Sequence, residues 1–88
     1  MSDQDQHDQD ILFEVIENQL ADEYPKKVKE TLLRLCLTGH SREDALELIA
    51  CALAPEMHAV VEHRQPFDLA RYEAHLGLLP ETPWIDEE

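Results

Sequence analysis

The sequence has few of the residues that build β-sheets and few positive charges. It contains two glycines, one tryptophan, two tyrosines and two phenylalanines, which argues against a sheet protein, while its abundant Leu, Ala and Glu favour helices. Seven basic residues stand against 20 acidic ones, for a formal net charge of -13. Nucleic acids and anionic membranes both attract basic surfaces, so we expect neither as a partner.

The chain also lacks the short motifs that identify common enzymes. It has no glycine-rich phosphate loop, nucleophile elbow, CxxC or HExxH motif. Ser41 is the one serine of the expected folded region, and it is needed as a helix cap, so serine catalysis is disfavoured. We therefore expect no enzymatic activity and no cofactor.

Segments that would direct the chain to or through a membrane are missing as well. No stretch approaches the roughly 20 apolar residues of a membrane span. The first ten residues are polar and acidic, whereas a signal peptide begins basic and continues apolar. We expect a cytoplasmic protein in which Cys36 and Cys51 are reduced, buried thiols.

Apolar periodicity predicts one all-α domain, a small antiparallel four-helix bundle. Residues 1–7 are expected to be a disordered acidic tail, residues 8–79 the helical domain, and residues 80–88 an extended, acidic tail with prolines. The helices are predicted from Asp8 or Asp10 to Asp22, from Pro25 to Thr38, from Ser41 to His63 and from Asp68 to Leu79. The expected core comprises Leu12, Val15, Ile16, Leu32, Leu35, Cys36, Leu46, Ile49, Leu53, Met57, Val60, Leu69, Tyr72 and Leu76.

The segment from Ser41 to His63 is the longest with helical apolar periodicity, and it contains a proline. Pro55 cannot donate a hydrogen bond to the carbonyl of Cys51, so the helix could break there. Because the apolar stripe keeps its phase across the proline, we predict one long helix that is kinked near Ala54. Ser41 is its predicted N-cap.

Other local signals define the remaining helix ends. Gly39 is the expected terminator of helix 2, and Asp68 the expected N-cap of helix 4. Phe67 is placed to pack on Tyr72 as a hydrophobic staple.

Two polar features allow alternative interpretations. The basic residues of helix 2 either attract the acids of helix 1 or form a docking strip for a partner; they are Lys26, Lys27, Lys29 and Arg34. Gln19 lies on the apolar stripe of helix 1, where a buried amide needs a hydrogen bond. It either bonds to a neighbouring loop at the edge of the bundle or shares a small polar pocket with Tyr72 or His75.

The best metal candidates are His58 and Glu62, which lie one helical turn apart. Glu56, His63 or His75 could add a ligand, but a site needs ligands from another helix and the sequence does not indicate one. No metal is therefore favoured. Glu43 and Glu47 also lie one turn apart, but we expect these carboxylates to be solvated.

The one tryptophan lies near the end of an otherwise polar tail, beside Ile85. Trp84 either folds back to cover a gap in the bundle or, with Ile85, anchors a partner, since tryptophan is enriched among interface hot spots.

Three segments, VIENQLAD, TGHSREDALELIACAL and PFDLARYEAHLGLL, resemble a family of short uncharacterised bacterial all-helical proteins over about residues 11–79. The matching positions are Glu17, Asn18, Gln19, Gly39, Phe67, Asp68 and Tyr72. Relatives carry histidines one turn apart early in the third helix, where this chain has Glu43 and Glu47. The resemblance implies the helical fold, weakens any inherited metal site and implies no reaction.

Three functions are consistent with these features. The first is a protein-interaction or regulatory module that binds through an apolar groove or the Trp84 tail. The second is a metal-binding helical protein, and the third is an acidic nucleic-acid mimic that occupies a basic protein. A homodimer is a further option, since so short a chain buries its apolar residues incompletely.

Overall fold

The computed structural model describes the backbone of residues 2–85 and the side chains of residues 10–85. Within that range the chain forms four α-helices and no strand, which confirms the predicted all-α fold. The helices are α1 (Ser2–Asp22), α2 (Lys26–Leu37), α3 (Arg42–His63) and α4 (Leu69–Leu78). None of these four is both long and apolar enough to cross a membrane.

Helices α2 and α3 occupy the centre of the bundle. Each contacts the other and both remaining helices, whereas the backbones of α1 and α4 do not approach each other within the described range. Short connections over residues 23–25, 38–41 and 64–68 join the helices, as in an antiparallel bundle.

The two ends of the chain differ from expectation. Helix α1 begins at Ser2, not at Asp8 or Asp10, so the backbone is helical where a disordered tail was predicted. Once a helix is anchored, each further residue adds a hydrogen bond at little cost, even without apolar periodicity. Beyond α4 the chain turns back instead of extending, and the N–H of Ile85 donates to the carbonyl of Thr82 at 3.0 Å. Met1 and residues 86–88 lie outside the described residues.

The predicted helix caps are confirmed. The side chains of Ser41 and Asp68 each accept a hydrogen bond, at 3.0 Å, from the backbone N–H three residues further on. Gly39 follows α2 with a φ of 108°, a conformation that a β-carbon disfavours. The rings of Phe67 and Tyr72 meet edge to face with their centroids 5.6 Å apart, as expected for the staple. Helix α3 passes through Pro55 as one helix.

The core lies where the four helices meet. Its buried apolar residues are Ile16, Val28, Leu35, Ala45, Leu46, Ile49, Ala50, Ala52, Leu53, Tyr72, Leu76 and Leu79. Five further predicted core residues are partly buried against them: Leu12, Val15, Leu32, Met57 and Leu69.

Two predicted core residues, Cys36 and Val60, are exposed. The buried stripe of α2 runs through Val28, Thr31 and Leu35, one position before Cys36. Because α2 is apolar on more than one face, its sequence alone does not show which of these faces is buried. Of the two thiols expected to be buried, only Cys51 is shielded, and only in part; this burial raises its pKa above the usual value.

A polar contact links α4 to α1 beside the core. The hydroxyl of Tyr72 donates to Oε1 of Gln19 at 2.9 Å, so Gln19 is paired with Tyr72, as one of its two predicted alternatives required. Burial raises the pKa of the Tyr72 phenol, because the ionised form loses solvation.

Glu56 is a buried carboxylate that fixes the start of α4. Its side chain is fully buried, and both oxygens are hydrogen-bonded. Arg71 donates from Nε to one oxygen and from Nη2 to the other, and the backbone N–H of Asp68 donates at 3.1 Å. A buried charge needs such partners, so these bonds hold the loop before α4 and its first turn against α3.

The other end of α4 is held by Arg34 of α2. Its guanidinium donates to the carbonyls of Leu76 at 3.0 Å and Leu79 at 2.8 Å, which satisfies acceptors that a helix end leaves open. Neither alternative for the basic residues of α2 anticipated this role. Lys29 lies 3.9 Å from Glu23 in an exposed ion pair, which contributes little.

The ion pair between the buried Glu56 and the more exposed Arg71 predicts an order of destabilisation. Replacing Arg71 by Met strands a buried carboxylate without its counter-charge, whereas Glu56→Gln leaves no buried charge behind. We expect Arg71→Met to lower the free energy of unfolding more than Glu56→Gln, which should cost about 1–2 kcal/mol. Urea denaturation checks the order, with the exposed Arg64→Met as a control. A smaller loss for Arg71→Met than for Glu56→Gln would contradict this assignment.

The buried phenol predicts a loss of stability at alkaline pH. The folded state holds the Tyr72 proton more tightly than the unfolded state, whose pKa is near 10, so the free energy of unfolding falls as pH rises above about 10. We expect the melting temperature of Tyr72→Phe to fall less than that of the wild type between pH 9 and pH 11. The chain's other tyrosine, Tyr24, is exposed, and Tyr24→Phe should behave as the wild type.

Candidate functional site

Trp84 is seated on α3 at the place where Pro55 interrupts the hydrogen bonding of the helix. Pro55 has no N–H to donate to the carbonyl of Cys51. The indole N–H of Trp84 donates to that carbonyl at 3.0 Å. The indole ring also stacks on His75 of α4, with centroids 4.1 Å apart and planes at 14°. The tryptophan thus supplies the donor that the proline lacks, and its ring covers α4.

The chain between α4 and Trp84 brings the ring to this seat. Leu79 is buried, and the N–H of Glu81 donates to the carbonyl of Leu78 at 2.9 Å, which turns the chain after the helix. A second turn begins at Thr82. In the structure Trp84 therefore folds back onto the bundle, which is the first of its two predicted alternatives.

This position affects the two residues predicted to bind a partner. Trp84 is partly buried against the core and its N–H is already bonded, so its polar group is not free for a partner. Ile85 is exposed beside it. Partner binding by these two residues remains a prediction, and Trp84 can offer its N–H to a partner only after it leaves its seat.

A groove between α1 and α3 is the second candidate site. It has a volume of about 380 Å³ and is lined by Ile11, Leu12, Ala54, Met57, His58, Val61 and Glu62. Its lining is mainly apolar, and Val61 is 66% exposed. One wall belongs to the first 23 residues, which hold eight acidic residues and no Lys or Arg. The apolar periodicity of the sequence placed Leu12 and Met57 in the core. It did not indicate that the second half of α3 is partly exposed to solvent.

The structure brings some of the metal candidates together without forming a metal site. His58 and Glu62 both line the groove, but Glu56 faces Arg71 and His63 meets His58 edge to face. Nowhere in the described part of the chain do three or more His, Cys, Asp or Glu side chains come together in a way that could hold a metal ion. Glu43 and Glu47 are exposed on α3.

Comparison with known proteins gives no relative. No protein-family model, curated protein or solved structure matches this chain. The resemblance to a family of short bacterial helical proteins therefore stays a prediction.

The Trp84 seat predicts a specific coupling between two substitutions. Trp84→Phe keeps an aromatic ring over His75 but leaves the Cys51 carbonyl without its donor, which should cost about 1 kcal/mol of stability. In a Pro55→Ala background the alanine N–H can reach the same carbonyl, so the cost of Trp84→Phe should be less than half as large. A double-mutant cycle by urea denaturation measures the difference. Equal costs in both backgrounds would show that the indole N–H does not replace the missing donor.

Proposed function

We propose that the protein is an interaction module that binds a basic amphipathic helix of another protein in the groove between α1 and α3. The observation that carries the proposal is an apolar groove whose one wall comes from the most acidic part of the chain. The proposal specifies the chemistry of the partner and leaves its identity open.

The apolar part of the groove suits a helix. Ile11 on one side and Val61 on the other are exposed, and Met57 is partly buried between α1 and α3. Exposed apolar residues that lie together mark interaction surfaces more often than isolated ones do. An amphipathic helix laid into such a groove would bury apolar residues spaced three and four apart, a common mode of recognition.

The charge of the chain selects the kind of partner. Glu62 lines the groove, and Asp10 and Glu14 are exposed on the described part of α1. A partner with Lys or Arg beside its apolar stripe would be attracted, which speeds encounter and disfavours acidic competitors. Two copies of this chain joined through this face would bring two acidic walls together, so the groove favours a different protein over a homodimer.

The two alternative functions gain no comparable support. His58 and Glu62 line one groove, but the described residues give them no third ligand. A nucleic-acid mimic needs carboxylates arrayed along one surface, and the feature that distinguishes this groove is its apolar lining. Both functions remain predictions from the sequence.

A peptide assay tests the proposal directly. Two designed helical peptides share one Leu-rich face and differ in their flanks, which carry Lys in one and Glu in the other. We expect the Lys peptide to bind in fluorescence anisotropy and the Glu peptide not to bind. Val61→Asp should weaken binding at least tenfold, because it places a charge in the apolar contact. Raising the salt from 50 to 300 mM should also weaken binding.

The matched control lies on another helix. Leu37 is apolar and 86% exposed on α2, so Leu37→Asp makes the same change outside the groove and should leave peptide affinity unchanged. Circular dichroism confirms that both variants stay folded. If Leu37→Asp weakens binding as much as Val61→Asp does, or if both peptides bind equally well, the groove is not the recognition site.

A further inference from the structure

The seat of Trp84 has the features of a binding site in its own right. We infer that the seat formed by the Cys51 carbonyl and the His75 ring binds a planar aromatic N–H donor, and that Trp84 occupies it as a ligand from the same chain. This site is separate from the groove and does not depend on the function proposed for it. Three features support it: the Cys51 carbonyl as acceptor, the His75 ring as stacking face, and the short tail that carries Trp84.

The acceptor is a backbone carbonyl of α3 and is not part of the tail. A helical carbonyl normally accepts from the N–H four residues later, and for Cys51 that residue is Pro55. Because a backbone carbonyl that is partly buried and lacks a donor is unfavourable, the position favours a donor from outside the helix. In the structure that donor is an indole N–H at 3.0 Å.

The stacking face adds selectivity for flat rings. His75 lies parallel to the indole within 14°, and offset stacking of aromatic rings is favourable. The imidazole belongs to α4, and its Nδ1 is buried without a hydrogen-bond partner in residues 10–85. A ligand must therefore place a flat ring over His75 and direct an N–H at Cys51 at the same time. Indole meets both conditions, whereas a phenyl ring meets only the first.

The present occupant is held by a short tail. After the buried Leu79, the described tail residues other than Trp84 and Thr82 are exposed, so the tail can leave without displacing a fully buried side chain. Once vacated, the seat could be filled by a small indole compound or by the tryptophan of another chain, including a second copy of this protein. The chemistry of recognition is the same for both sources.

A pair of ligands tests the site in the full-length Trp84→Gly variant. Indole has the N–H, whereas 1-methylindole has the same ring without it. We expect indole to bind in calorimetry and to raise the melting temperature, with an affinity about fivefold higher than that of 1-methylindole, as one hydrogen bond would give. Equal affinities, or no binding of indole to the folded variant, would overturn the inference.

A measurement on the unaltered protein covers the case in which that variant does not fold. The chain has one tryptophan, so its nitrogen–proton spectrum should contain a single indole signal. We expect this indole proton to exchange with solvent at least tenfold more slowly than that of N-acetyltryptophanamide. Exchange at the rate of the free compound would mean that no donor occupies the seat, and the inference would fail.

Mixing two variants separates the two sources of ligand. Trp84→Gly has a seat without a tryptophan, and His75→Ala has a tryptophan without a complete seat. If a second copy is the source, the mixture should form a heterodimer in light scattering, which neither variant forms alone. A monomeric mixture together with indole binding would assign the site to small indole compounds.

Discussion

The buried carboxylate of Glu56 is the constraint on which the second half of the structure depends. An unpaired charge in the core would be very costly, and its partners, Arg71 and the N–H of Asp68, both lie beyond the turn that follows α3. Glu56 can therefore be buried only if the loop folds back and α4 starts where it does. The staple of Phe67 on Tyr72 and the cap by Asp68 then act on a helix whose position is already fixed.

Helix α4 shows why these contacts are needed. It has ten residues, fewer than an isolated helix needs to be stable in water, and Gly77 near its end weakens it further. Glu56 binds the first turn of α4, and Arg34 binds carbonyls at the end of α4. Trp84 stacks on His75, which α4 carries. Each of these side chains comes from outside α4, so this helix forms only together with the rest of the bundle.

The features that could be predicted from the sequence depend on neighbours along the chain. Ser41, Asp68 and Gly39 act within a few residues of their positions, and the phase of the stripe across Pro55 correctly predicted one helix. Contacts between distant residues were predicted at most as one of two alternatives, as for Gln19 with Tyr72 and for Trp84 on the bundle. The bonds of Arg34 to α4 were not predicted, because they depend on the three-dimensional arrangement. Cys36 was misplaced for a related reason: a helix that is apolar on more than one face does not show by itself which face is covered.

The candidate site was only partly accessible to the same reasoning. The sequence indicated that the Cys51 carbonyl would lack its donor, and separately that Trp84 needed an explanation, but only the fold connects these two positions. The groove arises differently, because the bundle leaves the second half of α3 partly uncovered where Val61 is exposed against the acidic α1. The two sites use one helix on either side of its proline: Cys51 provides a backbone acceptor, and Met57 and Val61 provide apolar surface. Pro55 thus lies between the carbonyl that the Trp84 indole occupies and the apolar part of the groove.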